Sequence, residues 1–161
     1  MPLRFTGWII IFLTMFIALI LMILPLPHWA ESFRPEWLLL VILYWVIALP
    51  HRVNVGIAWV SGLLLDGLQG TLLGENALCF ALLAYFAYKM NRQIRLFSLP
   101  SQALVIFVFL MINQIMLFWF QGLQGQLVTL KWFLGAGVVS AVIWPWIFIV
   151  LTDCIKRYRL Y

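Results

Sequence analysis

Asp66 is the residue of this chain best placed to do chemistry. It interrupts the apolar run Gly62-Leu-Leu-Leu-Asp66-Gly67-Leu-Gln69-Gly70. An ionisable side chain inside a membrane-length apolar stretch is a candidate for proton transfer or for binding a polar group. At i, i+4 spacing Ala58, Gly62, Asp66 and Gly70 share one helical face. Small residues there admit a second helix closely, so the carboxylate would face protein. The competing structural reading is a carboxylate near the outer helix end, bonded to a neighbouring helix or to a helix N-terminus. A proton relay needs further ionisable groups at similar depth, and the other apolar runs hold none. Asn113 and Gln114 lie in the middle of another run. They either line a ligand cavity or hydrogen-bond between helices, a contact worth about 0.6–2 kcal/mol, with Asp66 as a candidate partner.

The remaining chemistry-bearing residues are scattered. His28 and His51 fall on opposite sides of the membrane in the reading below, so they cannot share a metal or activate a nucleophile. Cys79 and Cys154 form no C-x-x-C pair and fall near opposite faces, which argues against a disulfide or a metal site. There is no G-x-x-x-x-G-K-[ST] phosphate loop, no H-E-x-x-H and no G-x-S-x-G. No catalytic residues, cofactor or metal are expected.

The elements that hold these residues are membrane helices. Of 161 residues 66 % are hydrophobic, against about 45–50 % in soluble proteins. Charged residues are 9 %, against about 25 %, and the mean hydropathy is +1.08. No soluble fold covers such a surface, so a water-soluble enzyme, a DNA-binding module and a disordered tail are excluded. The net charge of +5 reads as basic cytoplasmic loops, not as nucleic-acid binding.

A spanning helix needs about 20 apolar residues. Six spans are expected, at about 7–26, 35–49, 55–73, 76–88, 101–120 and 132–152, forming one all-α domain over 1–161. The first is too long for a signal-peptide core, which runs about 7–15 residues, and no small-x-small cleavage site follows, so it reads as uncleaved. The second is short. It and the third read as two short spans around Pro50-His51-Arg52-Val53-Asn54, the alternative being a re-entrant hairpin with Arg52 deep in the membrane. With the N-terminus inside, the cytoplasmic segments hold Arg4, Arg52, Lys89, Arg92, Arg95, Lys156, Arg157 and Arg159, and the other side holds Arg34 and Lys131. That asymmetry puts both termini in the cytoplasm.

The sixth span carries a seam of small residues, Gly135, Ala136, Gly137, Ser140 and Ala141, and then Pro145, which removes a backbone donor and kinks a helix. The fourth repeats the theme with Ala77, Ala81 and Ala84. Lys89 to Leu99 reads as an interfacial helix, with Met90, Ile94 and Phe97 towards lipid tails and Arg92 and Arg95 towards phosphates, or as a partner-docking segment. Trp8, Trp29, Trp37 and Trp132 fall near the interfaces, where aromatic belts belong.

Four stretches resemble a known family. They are Phe33-Arg34-Pro35-Glu36-Trp37-Leu38, the segment Tyr44-Trp45 through Ala48-Leu49-Pro50-His51-Arg52-Val53-Asn54-Val55-Gly56, Leu65-Asp66-Gly67 with Gly70 to Leu73-Gly74, and Trp144-Pro145-Trp146-Ile147. Together they resemble the rod shape-determining MreD family in the form found in rod-shaped Gram-negative bacteria, over nearly the whole chain. The Ala48–Gly56 stretch is the most specific. The resemblance implies a non-catalytic inner-membrane component of the cell-elongation machinery. It implies MreC as a direct partner, and RodA, penicillin-binding protein 2, MreB and RodZ in the same complex. It also implies a six-helix bundle similar to the substrate-binding S-components of energy-coupling-factor transporters. A single-span partner would then dock on the third or sixth span through the small-residue seams, with basic residues anchored by membrane lipids. The rival readings are a solute-binding transporter subunit built around Asp66, Asn113 and Gln114, and a lipid-processing enzyme that depends on Asp66.

Overall fold

The computed structural model describes residues 2–125, 127 and 130–158, with the backbone alone for 2–5 and 130–133. The described residues form seven helices and no strand: α1 (Pro2–Ile23), α2 (His28–Glu31), α3 (Trp37–Ala48), α4 (Val55–Gln69), α5 (Glu75–Leu96), α6 (Leu99–Leu123) and α7 (Leu130–Arg157). Three stretches are long and apolar enough to cross a membrane, Thr6–Ile23, Leu99–Leu123 and Leu134–Arg157. α3 and α4 are apolar but short, with 12 and 15 residues. At 1.5 Å per residue they reach roughly 18 and 22 Å, well under the ~30 Å hydrocarbon core. α5 has 22 residues, but its last turns are polar.

α3 is the centre of the bundle. Its residues from Leu38 to Ile47 are buried without a break, as a helix apolar on every side must be. It packs on α1, α5 and α7. The α1 contact includes a polar link, with Trp45 Nε1 donating to Thr14 Oγ1 at 3.0 Å. α4 lies along α5, and α6 packs against α7 and α5. The C-terminal ends of α3, α5 and α7 gather at one end of the bundle. There Tyr44 and Thr152 share a hydroxyl hydrogen bond of 2.9 Å, and Arg95 donates through Nε to Ile47 O at 2.7 Å and through Nη2 to Ala48 O. We call this the basic end, because Lys89, Arg92, Lys156 and Arg157 belong to the same terminal turns.

Local chemistry sets the helix limits. α1 stops at Ile23, ahead of Pro25, because the residue before a proline is driven out of the helical region. Asn54 caps α4, its Oδ1 accepting from Gly56 N and Ile57 N. Gly70 ends α4 at φ 69°, a left-handed turn that glycine adopts without strain. The expected third span to Leu73 is therefore too long by about one turn. The expected break at Tyr88 is absent, and Lys89–Leu96 continues α5 in place of a separate interfacial helix. Nothing between Tyr88 and Leu96 breaks a helix. Ile94 is fully buried in the core and Met90 packs against it, so these two meet protein, while Phe97 is exposed. α7 runs unbroken through Pro145.

The small-residue seams are internal. A Cβ on Gly62 would lie 2.5 Å from Ala77 Cα and 2.8 Å from Asn76 C, both backbone atoms of α5. Gly137 is covered by the Met111 side chain of α6. Gly70 has nothing within 4 Å of where a Cβ would stand, so it acts as a helix stop and not as part of the seam. Gly62→Ala should thus destabilise the bundle by roughly 1–3 kcal/mol, the usual cost of overpacking. Gly67→Ala, in the same helix with open space around it, should be neutral or stabilising by up to about 1 kcal/mol. Thermal unfolding of the two detergent-purified variants checks the contrast.

Candidate functional site

Two buried carboxylates are the focal points. Asp66, in the last turn of α4, is completely buried. Its Oδ1 accepts from Thr71 Oγ1 at 3.0 Å, Asn76 N at 3.0 Å and Asn76 Nδ2 at 2.8 Å. Its Oδ2 accepts from Gly74 N at 2.9 Å and Ala77 N at 3.4 Å. The backbone donors are the first N–H groups of α5, which have no partner inside their own helix. The carboxylate also meets the positive end of the α5 dipole. α5 has no side-chain cap at its own N-cap, which is Gly74 at φ 105°. Asp66 supplies that cap from the neighbouring helix. Gly62, one turn earlier, brings the α5 backbone within its reach.

The second carboxylate, Glu36, falls at the start of the expected second span and is not singled out from the sequence. The structure buries it at the N-cap of α3. Gln114 Nε2 of α6 donates to Glu36 Oε1 at 2.9 Å, and Glu36 N donates to Ser140 Oγ of α7 at 2.9 Å. Ser140 in turn donates to Ala136 O at 2.7 Å. One residue thereby ties α3 to both α6 and α7. Gln114 is thus an interhelical bond, made to Glu36 and not to Asp66. Asn113 is fully buried, and neither of its amide atoms has a partner. The signal for Glu36 was its place directly before an all-apolar helix, where a polar residue must cap the helix or face solvent.

The other expected residues separate. Ala58 is buried on the seam of α4 and Ala141 is half-buried on α7. Pro145 stands between Trp144, at the core, and Trp146, which is exposed. Among the basic residues, Lys156, Arg157 and Arg92 are exposed, Lys89 is exposed, and Arg52 is half-buried in the α3–α4 turn. Arg95 is the one that caps α3. Arg159 lies outside the described residues, as do the side chains of Arg4, Lys131 and Trp132. His28 and His51 are both exposed. Among the described residues no three His, Cys, Asp or Glu side chains converge as a metal site would require.

The family model of the rod shape-determining protein MreD matches residues 3–153. The chain belongs to the MreD family. The MreD of Haemophilus influenzae is 31 % identical over 155 residues, covering 96 % of this chain and 95 % of that protein. No solved structure matches the chain. MreD is a shape-determining structural protein and not an enzyme, and the three buried carboxylates, Asp66, Glu36 and Glu75, all accept hydrogen bonds within the chain. Three of the four stretches that carry the MreD resemblance include corners of the fold, and the fourth, Trp144–Ile147, lies inside α7. Phe33–Leu38 holds Glu36, Pro50–Gly56 turns α3 into α4, and Leu65–Gly74 holds the Asp66 corner. An Asp66→Asn substitution puts an amide donor among N–H donors. It should lower stability by about 2–4 kcal/mol, since hydrogen bonds to a charged group are worth ~1.5–3 kcal/mol each. Urea or thermal unfolding in detergent measures it. Loss of the protein from the membrane would accompany loss of shape, with no turnover to restore.

Proposed function

We propose that this MreD-family protein is a non-catalytic scaffold of the bacterial cell-elongation complex in the inner membrane. In this reading six helices cross the bilayer, both termini are cytoplasmic, and the bundle resembles the S-component fold. The protein binds MreC directly. It helps organise RodA and penicillin-binding protein 2, with MreB and RodZ in the same assembly, and so regulates peptidoglycan synthesis and rod shape. The observation that carries the reading is family membership over nearly the whole chain. It is supported by Asp66, Gln114 and Ser140, whose side chains are spent on bonds between or within helices. The excess of basic residues on one side supports the orientation. The alternative, a small-solute-binding transporter subunit, has less support, because Asp66 and Gln114 already bond within the chain.

With both seams occupied internally, a single-span partner is left the outer faces. α1 packs mainly on α3 and turns Ile9, Phe12, Leu13 and Phe16 outwards. Apolar grooves of about 420 and 510 Å³ flank it, one lined by Phe16, Val60 and Leu64, the other by Ile17, Trp146 and Val150. These flanks are our candidates for the MreC helix, in place of the seams.

Gentle solubilisation from native membranes, followed by identification of what co-purifies, tests the assignment. MreC with the RodA–penicillin-binding protein 2 pair is the expected result, and an ATPase pair with a coupling subunit would mean transport. A photocrosslinker at Phe16 or Trp146 should capture MreC, whereas one at the exposed Leu82 of α5 should not. Capture at Leu82 alone would remove the flanks of α1 from consideration. Depletion in a rod-shaped host should round the cells, and a protein carrying Asp66→Ala should fail to restore them.

A further inference from the structure

Asp66 and Glu36 are both buried, at 0 % and 7 % exposure, yet the protein surrounds them differently. Asp66 accepts from five groups, which replace the water an anion loses on burial. Glu36 has one donor. Gln114 Nε2 reaches its Oε1 at 2.9 Å, and its Oε2 is buried with no partner. The side chain makes no cap bond to its own helix. The groups around it do not fill the gap. In the preceding loop, Arg34 spends Nη2 on Leu24 O, and its buried Nε has no partner. The one ion pair among the described residues joins His28 to Glu31 and leaves Glu36 out. α6 brings the Gln114 amide and α7 the Ser140 hydroxyl. α5 brings the buried Cys79 thiol and, one turn earlier, Glu75, itself a carboxyl bonded to Gln124. α1 has no ionisable side chain from Thr6 to Ile23. None of the packed helices supplies a cation. An ionised carboxylate with a single hydrogen bond in such a place costs far more than a neutral carboxyl left equally unpaired.

Glu36 is also a joint. Its N–H donates to Ser140 Oγ of α7, and its carboxyl takes the Gln114 amide of α6. We propose that Glu36 is a buried carboxylic acid in the folded bundle, and that its proton is a latch on the joint of α3, α6 and α7, which loosens when the proton leaves. The unfolded chain ionises this group above the ordinary value of about 4.3, while the folded chain keeps the proton at neutral pH. The folded state therefore binds more protons, and stability falls as pH rises. The contribution is complete below the ordinary carboxylate range and is lost as pH rises through the point where the folded site ionises. In the orientation proposed above, the start of α3 faces away from the cytoplasm, so the latch answers to external pH. Its existence depends neither on that orientation nor on which complex the chain joins.

Infrared spectroscopy of the full chain in detergent at neutral pH tests the protonation. The wild type should show the carbonyl stretch of a protonated carboxyl. Glu36→Gln should lose that band, and Glu75→Gln should keep it. Thermal unfolding from about pH 5 to pH 8 tests the latch. The wild type should lose stability relative to Glu36→Gln as pH rises, by at most tenfold in the folding constant per pH unit, or ~1.4 kcal/mol. The glutamine retains an acceptor for Gln114 but has no proton to lose. A band that survives in Glu36→Gln would overturn the protonation. Equal pH dependence in the two proteins would overturn the latch. Should Glu36→Gln fail to fold, Glu75→Gln decides: a carboxylic-acid band that fades as pH rises supports the proposal, and its absence at neutral pH overturns it.

Discussion

A helix too short to reach water leaves its end groups in an apolar setting, and every one of them must find a partner there. This constraint governs the molecule. Water is scarce inside a bilayer, and an unsatisfied backbone group costs several kcal/mol. α3 is the extreme case, 12 residues long with Leu38 to Ile47 buried on all sides. At its start, Glu36 N reaches Ser140. At its end, Arg95 covers the carbonyls of Ile47 and Ala48. The same logic operates at α1, where Arg34 donates to Leu24 O, and at α5, where Asp66 takes the free N–H groups. The few polar side chains in an apolar sequence are largely accounted for as the caps of neighbouring helices.

That economy explains what the sequence reveals and what it conceals. The membrane class and the long helices were legible from composition and run length alone. So was the small face around Gly62, because periodicity of 3.6 survives in any helix that buries one side. The structural alternative for Asp66, a carboxylate at a helix N-terminus, follows from the same face plus its place near the helix end. Glu36 was not legible, since its partners Gln114 and Ser140 lie 78 and 104 residues away. Local patterning carries no trace of such a pairing. The continuation of α5 past Tyr88 was hidden for a related reason. Basic residues resemble a loop in a hydropathy reading, yet Arg95 caps α3 and Ile94 fills the core. A polar run ends a membrane segment only where its side chains have nothing in the protein to bind.

The internal seams change where partners belong. Small residues let helices approach within a chain as readily as between chains, and sequence cannot tell the two apart. Here the backbone of α5 already fills the space over Gly62. A large side chain at that position therefore tests folding, not association. Surfaces free for a partner are the ones that show large apolar side chains outwards, and those run along α1 and the outer sides of α4, α5, α6 and α7. Lipid covers such faces equally well, so shape complementarity and local polar contacts must decide which one a partner helix selects.

The two ends of the bundle consequently differ in kind. At the start of α3 Glu36 Oε2 and Arg34 Nε are buried without partners, but around the α4–α5 corner donors and acceptors close on one another: Asp66 accepts from five groups, and Gln124 Nε2 donates to Glu75 across to α6. Such a set gains nothing from a ligand and holds the helices rigidly. At the basic end Arg95, an exposed side chain, bonds the α3 carbonyls, and Trp144 Nε1 is buried with no partner. A buried donor without an acceptor is unfavourable. The rings of Tyr44, Trp144 and Phe148 pack on one another at that end, so contact among aromatic faces joins α3 to α7 there alongside the single Tyr44–Thr152 hydrogen bond.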